Sequence, residues 1–108
     1  MSTEFPDRAA LARRSDAAFN VLQHEMLAEM ASSLGHHARR VETAMAALRA
    51  FDPAGDTGER LTLVKAAARE VWAFLVQREA CGLRDQQQII KDYDIPGEVL
   101  VRLGAMER

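Results

Sequence analysis

Residues 16–51, DAAFNVLQHEMLAEMASSLGHHARRVETAMAALRAF, decide the fold. Phe19, Leu22, Met26, Met30, Leu34, His37, Val41, Met45, Leu48 and Phe51 follow one another in steps of three or four residues. The mean step is about 3.6 residues, the period of an α-helix, so one helical face is apolar from end to end. Asp16 is placed to cap the start, since its carboxylate suits the unpaired amides and the positive end of a helix. Gly35 interrupts the composition but not the phase: Leu34 and His37 continue the stripe across it, so a single helix is expected, with glycine available for a bend or for close approach of a crossing helix. Asp52-Pro53 ends it, and the AGDTG that follows is a turn.

Outward from this helix, Glu59 to Cys81 carries Leu61, Val64, Ala68, Val71 and Leu75 on one face, with Trp72, Phe74 and Val76 widening it. Gly82 reads as its left-handed cap, with Leu83 as the apolar contact that commonly follows. Two short helices are expected in the tail, at about 85–93 and 96–103, separated at Asp94-Ile95 by the demands of Pro96 and stopped by Gly104. Upstream, residues 1–15 offer mostly alanine as apolar surface and read as a flexible or loosely docked arm, leaving 16–108 as a single helical domain. The class is all-α: a long helix and a second helix in an antiparallel hairpin, then two short helices.

The lengths point to assembly. A helix of about 35 residues is about 52 Å long, whereas a compact chain of this size is about 34 Å across. A second helix of about 23 residues, folded back, covers the stripe only from Phe51 to near Glu29. Phe19, Leu22 and Met26 are left for the tail helices, for a second copy of the chain, or for both. A dimeric helical bundle is the expectation, and Met26 and Met30 are suited to an adaptable surface for a protein partner.

Composition narrows the function. The chain has 108 residues, 48% of them hydrophobic, enough for one core. Fourteen basic and sixteen acidic side chains give a net charge of -2, so no strong field favours phosphate backbones or anionic membranes. No apolar run approaches the length of a membrane span, and the one cysteine, Cys81, has no partner for a disulfide; with no secretory pattern at the N-terminus, a cytoplasmic location is expected.

Chemistry is sparse. His24, Glu25, Glu29, His36 and His37 form the sole cluster that invites a metal. Adjacent residues diverge by about 100° around a helix, and His36 lies about 10 Å beyond Glu29, so a single ion cannot take them together without a partner helix. The Glu-x-x-His pair of carboxylate-bridged di-iron bundles is absent from the sequence. His37, on the stripe, is expected to be partly buried and hydrogen-bonded rather than a pH switch. Cys81, at the negative end of a helix, reads as buried and structural. No Gly-rich phosphate loop, catalytic triad or zinc-finger spacing occurs. No catalytic, cofactor-binding or metal-ligating residues are therefore assigned, and a metal-dependent enzyme is the weakest alternative.

The tail, QQQIIKDYDIPGEVLVRL, sets Ile89, Tyr93, Ile95, Leu100 and Leu103 near the apolar positions of a helix-turn-helix, which raises an accessory DNA-binding regulator as an alternative. Its would-be reading helix carries Glu98 and a single base, Arg102, and residues 84–108 hold four basic against five acidic side chains. Phosphate neutralisation has little to work with there, so nucleic acid is disfavoured and a two-helix corner packed on the core is preferred.

With VWAFLVQREACGLRD and IIKDYDIPGEVLVRLG, the chain from about Phe19 resembles a family of short, uncharacterised, all-helical bacterial proteins, mostly alphaproteobacterial, of unknown function. That resemblance assigns no residue a role. It implies that Trp72, Arg78, Glu79, Gly82, Leu83, Arg84, Asp85, Tyr93, Pro96 and Leu103 merit attention. Arg78, Glu79, Arg84 and Asp85 bracket the Gly82 turn and are expected to form a local polar network or a docking surface. The expected function is a non-enzymatic interaction or assembly module, homodimeric through the long helix.

Overall fold

A computed structural model of the chain describes residues 7–105. Every element among them is helical: α1 Arg8–Ala50, α2 Thr57–Ala80, α3 Gln86–Asp92 and α4 Gly97–Leu100. Contacts divide the chain between Ser32 and Ser33, inside α1, into two units.

The first unit contains the beginning of α1, which starts eight residues before Asp16. Asp7 caps it instead: the Ala10 amide donates to Asp7 Oδ1 at 2.6 Å, and the Leu11 amide donates to the Asp7 carbonyl oxygen at 3.1 Å. Alanine and arginine have high intrinsic helix propensity, so a capped AALARR segment continues the helix without needing a core. Residues 8–15 are thus helical, and the rest of the expected arm, residues 1–6, lies outside the described residues.

The second unit holds the core. Val41, Met45 and Leu48 of α1 are buried in one cluster with Val64, Val71 and Leu75 of α2, so the long helix packs on the second. Met45, Val41, Val71 and Val99 are the largest side chains closed off from solvent. Burying a methionine of this kind favours the folded state by about 1.5–3 kcal/mol. α4 packs on α2, bringing in Val99, while Ile89 of α3 and Ile95 of the linking turn complete the cluster. Val99, which helical spacing in so short an element does not mark, is among the best-buried residues.

The connections follow the expected punctuation. Asp52 organises the first turn, its carboxylate accepting from the Ala54 amide at 2.9 Å and its carbonyl from the Gly55 amide at 2.8 Å. A β-carbon on Gly55 would lie 2.9 Å from Phe51 Cζ, so the glycine is there for close approach of the ring. Asp56 caps α2 by accepting from the Gly58 and Glu59 amides. At the other end, Gly82 takes φ 82°, with the Gly82 amide donating to the Glu79 carbonyl and the Leu83 amide to the Arg78 carbonyl, which closes the helix as a Schellman turn. Leu83 itself remains exposed, so the apolar contact expected of it is not the main support.

Gly35 lies within α1, which is assigned without a break, as its phase predicts. Among the described residues, the atom nearest its would-be β-carbon outside the local helix backbone is Arg39 Nη1, at 3.3 Å, on the same helix. Close approach of another helix is therefore not what this glycine serves. Trp72 and Val76, expected to widen the buried face of α2, are exposed on one flank of it, and Ala67 and Phe74 complete that face on the other.

Candidate functional site

The stripe of α1 behaves differently in the two units. In the second, Leu34 and His37 are half-buried, Val41, Met45 and Leu48 are buried, and Phe51 is half-buried against the turn. In the first, Leu11, Phe19, Leu22, Met26 and Leu27 are between 49% and 63% exposed, and Met30 is half-buried. At about 100° per residue, Phe19, Met26 and Met30 project within about 40° of one another, with Leu22 and Leu27 on either side. Together they form an exposed apolar helix face, the kind of surface that marks an interaction site. Val21, equally exposed, points from the opposite face.

Ile89, Ile95 and Val99 of the tail are buried in the core of the second unit.

The corner between α3 and α4 turns at Asp94, which adopts φ 48°, the left-handed conformation usually given to glycine. The Ile95 amide donates to the Ile90 carbonyl at 3.0 Å, closing α3 as Gly82 closes α2. Tyr93 packs edge-on against Phe74, with ring centroids 5.8 Å apart, and its carbonyl oxygen accepts from Arg49 Nη2 at 2.6 Å. Burial raises the Tyr93 hydroxyl pKa above its ordinary value, and Glu42 adds to the effect. Pro96 is the residue just before α4, which is only four residues long, and Glu98 is paired with Arg60 of α2. The corner thus supports the core, and its short second helix presents little surface for reading a groove.

Around Gly82 the four charges act separately. Asp85 caps α3 by accepting from the Gln88 amide at 3.1 Å, while the Arg78 guanidinium lies 5.7 Å from the centre of the Phe74 ring. Glu79 and Arg84 are exposed, and among the described residues no ion pair joins any of the four, so the expected network does not form. The reason is the turn itself: backbone hydrogen bonds already close α2, and Asp85 is committed to the next helix. Trp72 instead lies over Gly104, where a β-carbon would sit 3.4 Å from Trp72 Cζ2; φ 72° favours glycine there as well. Leu103 is half-buried beside that turn.

One groove in the second unit has polar walls. His36, Arg39, Arg40, Thr43, Ala44, Ala47, Ala66 and Glu70 enclose about 380 Å³ of open space. Arg40 and Glu70 meet there in a bidentate pair, and the guanidinium holds the Glu70 carboxyl below its ordinary pKa. His37 lies nearby on the stripe, its ring edge-on to His36 with centroids 5.8 Å apart. Its Nδ1 is enclosed without a hydrogen-bond partner among the described residues, contrary to the expected bonded state. Its neighbours one turn away on that face, Leu34 and Val41, are apolar and supply no acceptor. Cys81 is also less enclosed than expected: it is half-buried at the end of α2, with Gln77 Nε2 at 3.8 Å from Sγ.

Among the described residues, no three of His, Cys, Asp and Glu gather as a metal site, and no helix is long and apolar enough to cross a membrane. The apolar face of α1 before Ser33 stays exposed among the described residues.

Fold and surface together define a small all-helical protein with a packed helical core and an unpartnered apolar helix face. The chain belongs to the DUF6665 family, a family of unknown function, whose model matches residues 7–108. No curated protein and no solved structure matches it.

Proposed function

We propose that this protein is a non-enzymatic assembly module, in which α1 and α2 form an antiparallel hairpin and the face of α1 carrying Phe19, Leu22, Met26 and Met30 joins two copies of the chain. The Arg40–Glu70 pair supports the hairpin, since it links the two helices at similar distances from the Asp52 turn. The observation that carries the assembly is the exposure of Phe19, Leu22 and Met26, at 59–63%, on one face of a helix whose continuation is buried. Helices in proteins draw most of their stability from packing such a face, and residues 8–32 have no core of their own to pack it on. A second copy brings an identical stripe, which makes the contact self-complementary. The cytoplasmic and bacterial setting belongs to the same proposal; it draws support from the resemblance and from Cys81, half-buried and free.

Assembly of this kind makes stability depend on protein concentration. The thermal midpoint followed by circular dichroism is expected to rise with each tenfold increase in concentration. A midpoint that stays constant across about a hundredfold range counts against the proposal.

A further inference from the structure

We infer that the groove between α1 and α2 binds a small amphipathic monocarboxylate, its carboxylate held by Arg39 and Arg40 and its apolar body laid on Ala44, Ala47 and Ala66. The inference stands independently of the assembly proposed above.

The groove is polar at one end and apolar at the other. Arg40 and Glu70 meet across it through two hydrogen bonds of 2.8 Å, with His36 and Arg39 in the same wall. One turn on from Arg40 along α1, and one turn back from Glu70 along α2, the lining becomes Ala44 and Ala66, followed by Ala47. From residue 36 to residue 47 the helix rises about 16 Å. The enclosed space, about 380 Å³, falls in the range of small-molecule pockets, where an apolar surface is joined by a few converging polar groups. A ligand with one charged end and an apolar body matches both ends of this groove.

Charge selects the sign of that end. Two guanidiniums against one carboxylate give the polar end a net of about +1. Arg40 commits Nε and Nη2 to Glu70, so Nη1 still has donors to offer. Arg39 is exposed, and among the described residues neither a hydrogen bond nor an ion pair reaches its guanidinium. The planar fork of a guanidinium matches a carboxylate through two parallel N–H···O bonds. A doubly charged head group is disfavoured by the Glu70 carboxylate in the same wall, and a cation finds that carboxylate already taken by Arg40.

Gly35 supplies a separate observation. Glycine weakens a helix interior relative to alanine, and no crossing helix accounts for it here. Its would-be β-carbon lies 3.3 Å from Arg39 Nη1, tighter than an ordinary contact. The Arg39 guanidinium thus folds back over the backbone at Gly35, and an alanine there would push it aside.

Octanoate is the probe. Titrated into the full chain and followed through backbone amide NMR shifts, it is expected to move residues 36–47 and 63–70 saturably, with a dissociation constant below about 1 mM. Arg39→Ala and Arg39→Gln, both at an exposed position, are each expected to weaken binding about tenfold with helical content retained. Ala47→Leu, also at an exposed position, fills the apolar end and is expected to weaken binding about tenfold with Arg39 untouched. Gly35→Ala is expected to raise the thermal midpoint and yet weaken octanoate about threefold, a combination that helix propensity alone does not produce. Octyl phosphate, doubly charged at pH 8, is expected to bind more weakly than octanoate, and octylammonium not to bind. The site is overturned by the absence of saturable shifts up to about 10 mM octanoate, by shifts centred on Phe19 to Met30 instead of the groove, or by an affinity indifferent to both Arg39 variants. Octylammonium binding as tightly as octanoate, or octyl phosphate binding more tightly, overturns the assignment to a monocarboxylate.

Discussion

Arg40 of α1 holds Glu70 of α2 through two parallel hydrogen bonds, Nε to Oε2 and Nη2 to Oε1, each 2.8 Å long. It is a charged contact between the two long helices, and its geometry is one that lysine cannot reproduce. The pair lowers the Glu70 pKa below its ordinary value. Its contribution is therefore fully present above the ordinary carboxylate range and is lost as pH falls through the lowered folded value. Glu70→Gln is expected to lower the thermal midpoint by about 2–5 °C at pH 7, a difference from the native chain that shrinks progressively as pH falls below the ordinary carboxylate range. Thermal melts of both proteins from pH 3 to 8 check it.

Met45→Ala removes a side chain that is 1% exposed and leaves a cavity among Val41, Val71 and their neighbours. The expected cost is about 2–5 kcal/mol, read by urea unfolding. Phe19→Ala removes a larger side chain that is 63% exposed in the single chain, so it should leave unfolding nearly unchanged at high dilution while lowering stability at high concentration.

Two left-handed positions make opposite predictions. Gly82, at φ 82° with open space around it, should lose about 1 kcal/mol on Gly82→Ala through backbone strain alone. Asp94, at φ 48°, already bears that strain, so Asp94→Gly should raise stability by about 0.5 kcal/mol. Chemical denaturation of both variants separates the two effects.

Gly55→Ala acts through space instead. The added methyl would lie 2.9 Å from Phe51 Cζ and 3.0 Å from the Asp52 carbonyl oxygen, and only the ring can move away. A loss of about 1–3 kcal/mol is expected, and Phe51→Leu in the same chain should recover part of it by removing the obstructing ring edge.

Much of this architecture is legible in the sequence because helical phase and turn residues are local signals. The stripe from Phe19 to Phe51 foretells α1 through Gly35, and Gly82 and Pro96 mark the ends of elements where the chain turns. The start of α1 is missed by eight residues, since Asp7 and Asp16 are equally good caps on paper and only the alanine-rich segment between them decides. Trp72 is misplaced for a different reason. Its size argues for burial, but Ala67, which little recommends, lies on the enclosed side of α2, and which flank of a broad apolar face meets its neighbour depends on packing between helices. The polar network around Gly82 fails similarly: proximity in sequence does not reveal that Asp85 is taken by the Gln88 amide. By contrast, the exposed end of the stripe follows from arithmetic on lengths alone.

That exposed end carries the central claim, and the mass of the protein in solution tests it most directly. Light scattering coupled to size exclusion at tens of micromolar is expected to give about 24 kDa, twice the 12.0 kDa of one chain, and about 12 kDa for Phe19→Asp combined with Met26→Asp, with helical content retained. A native chain that elutes at 12.0 kDa under those conditions, or a doubly substituted one that stays at twice that mass, contradicts assembly through this face.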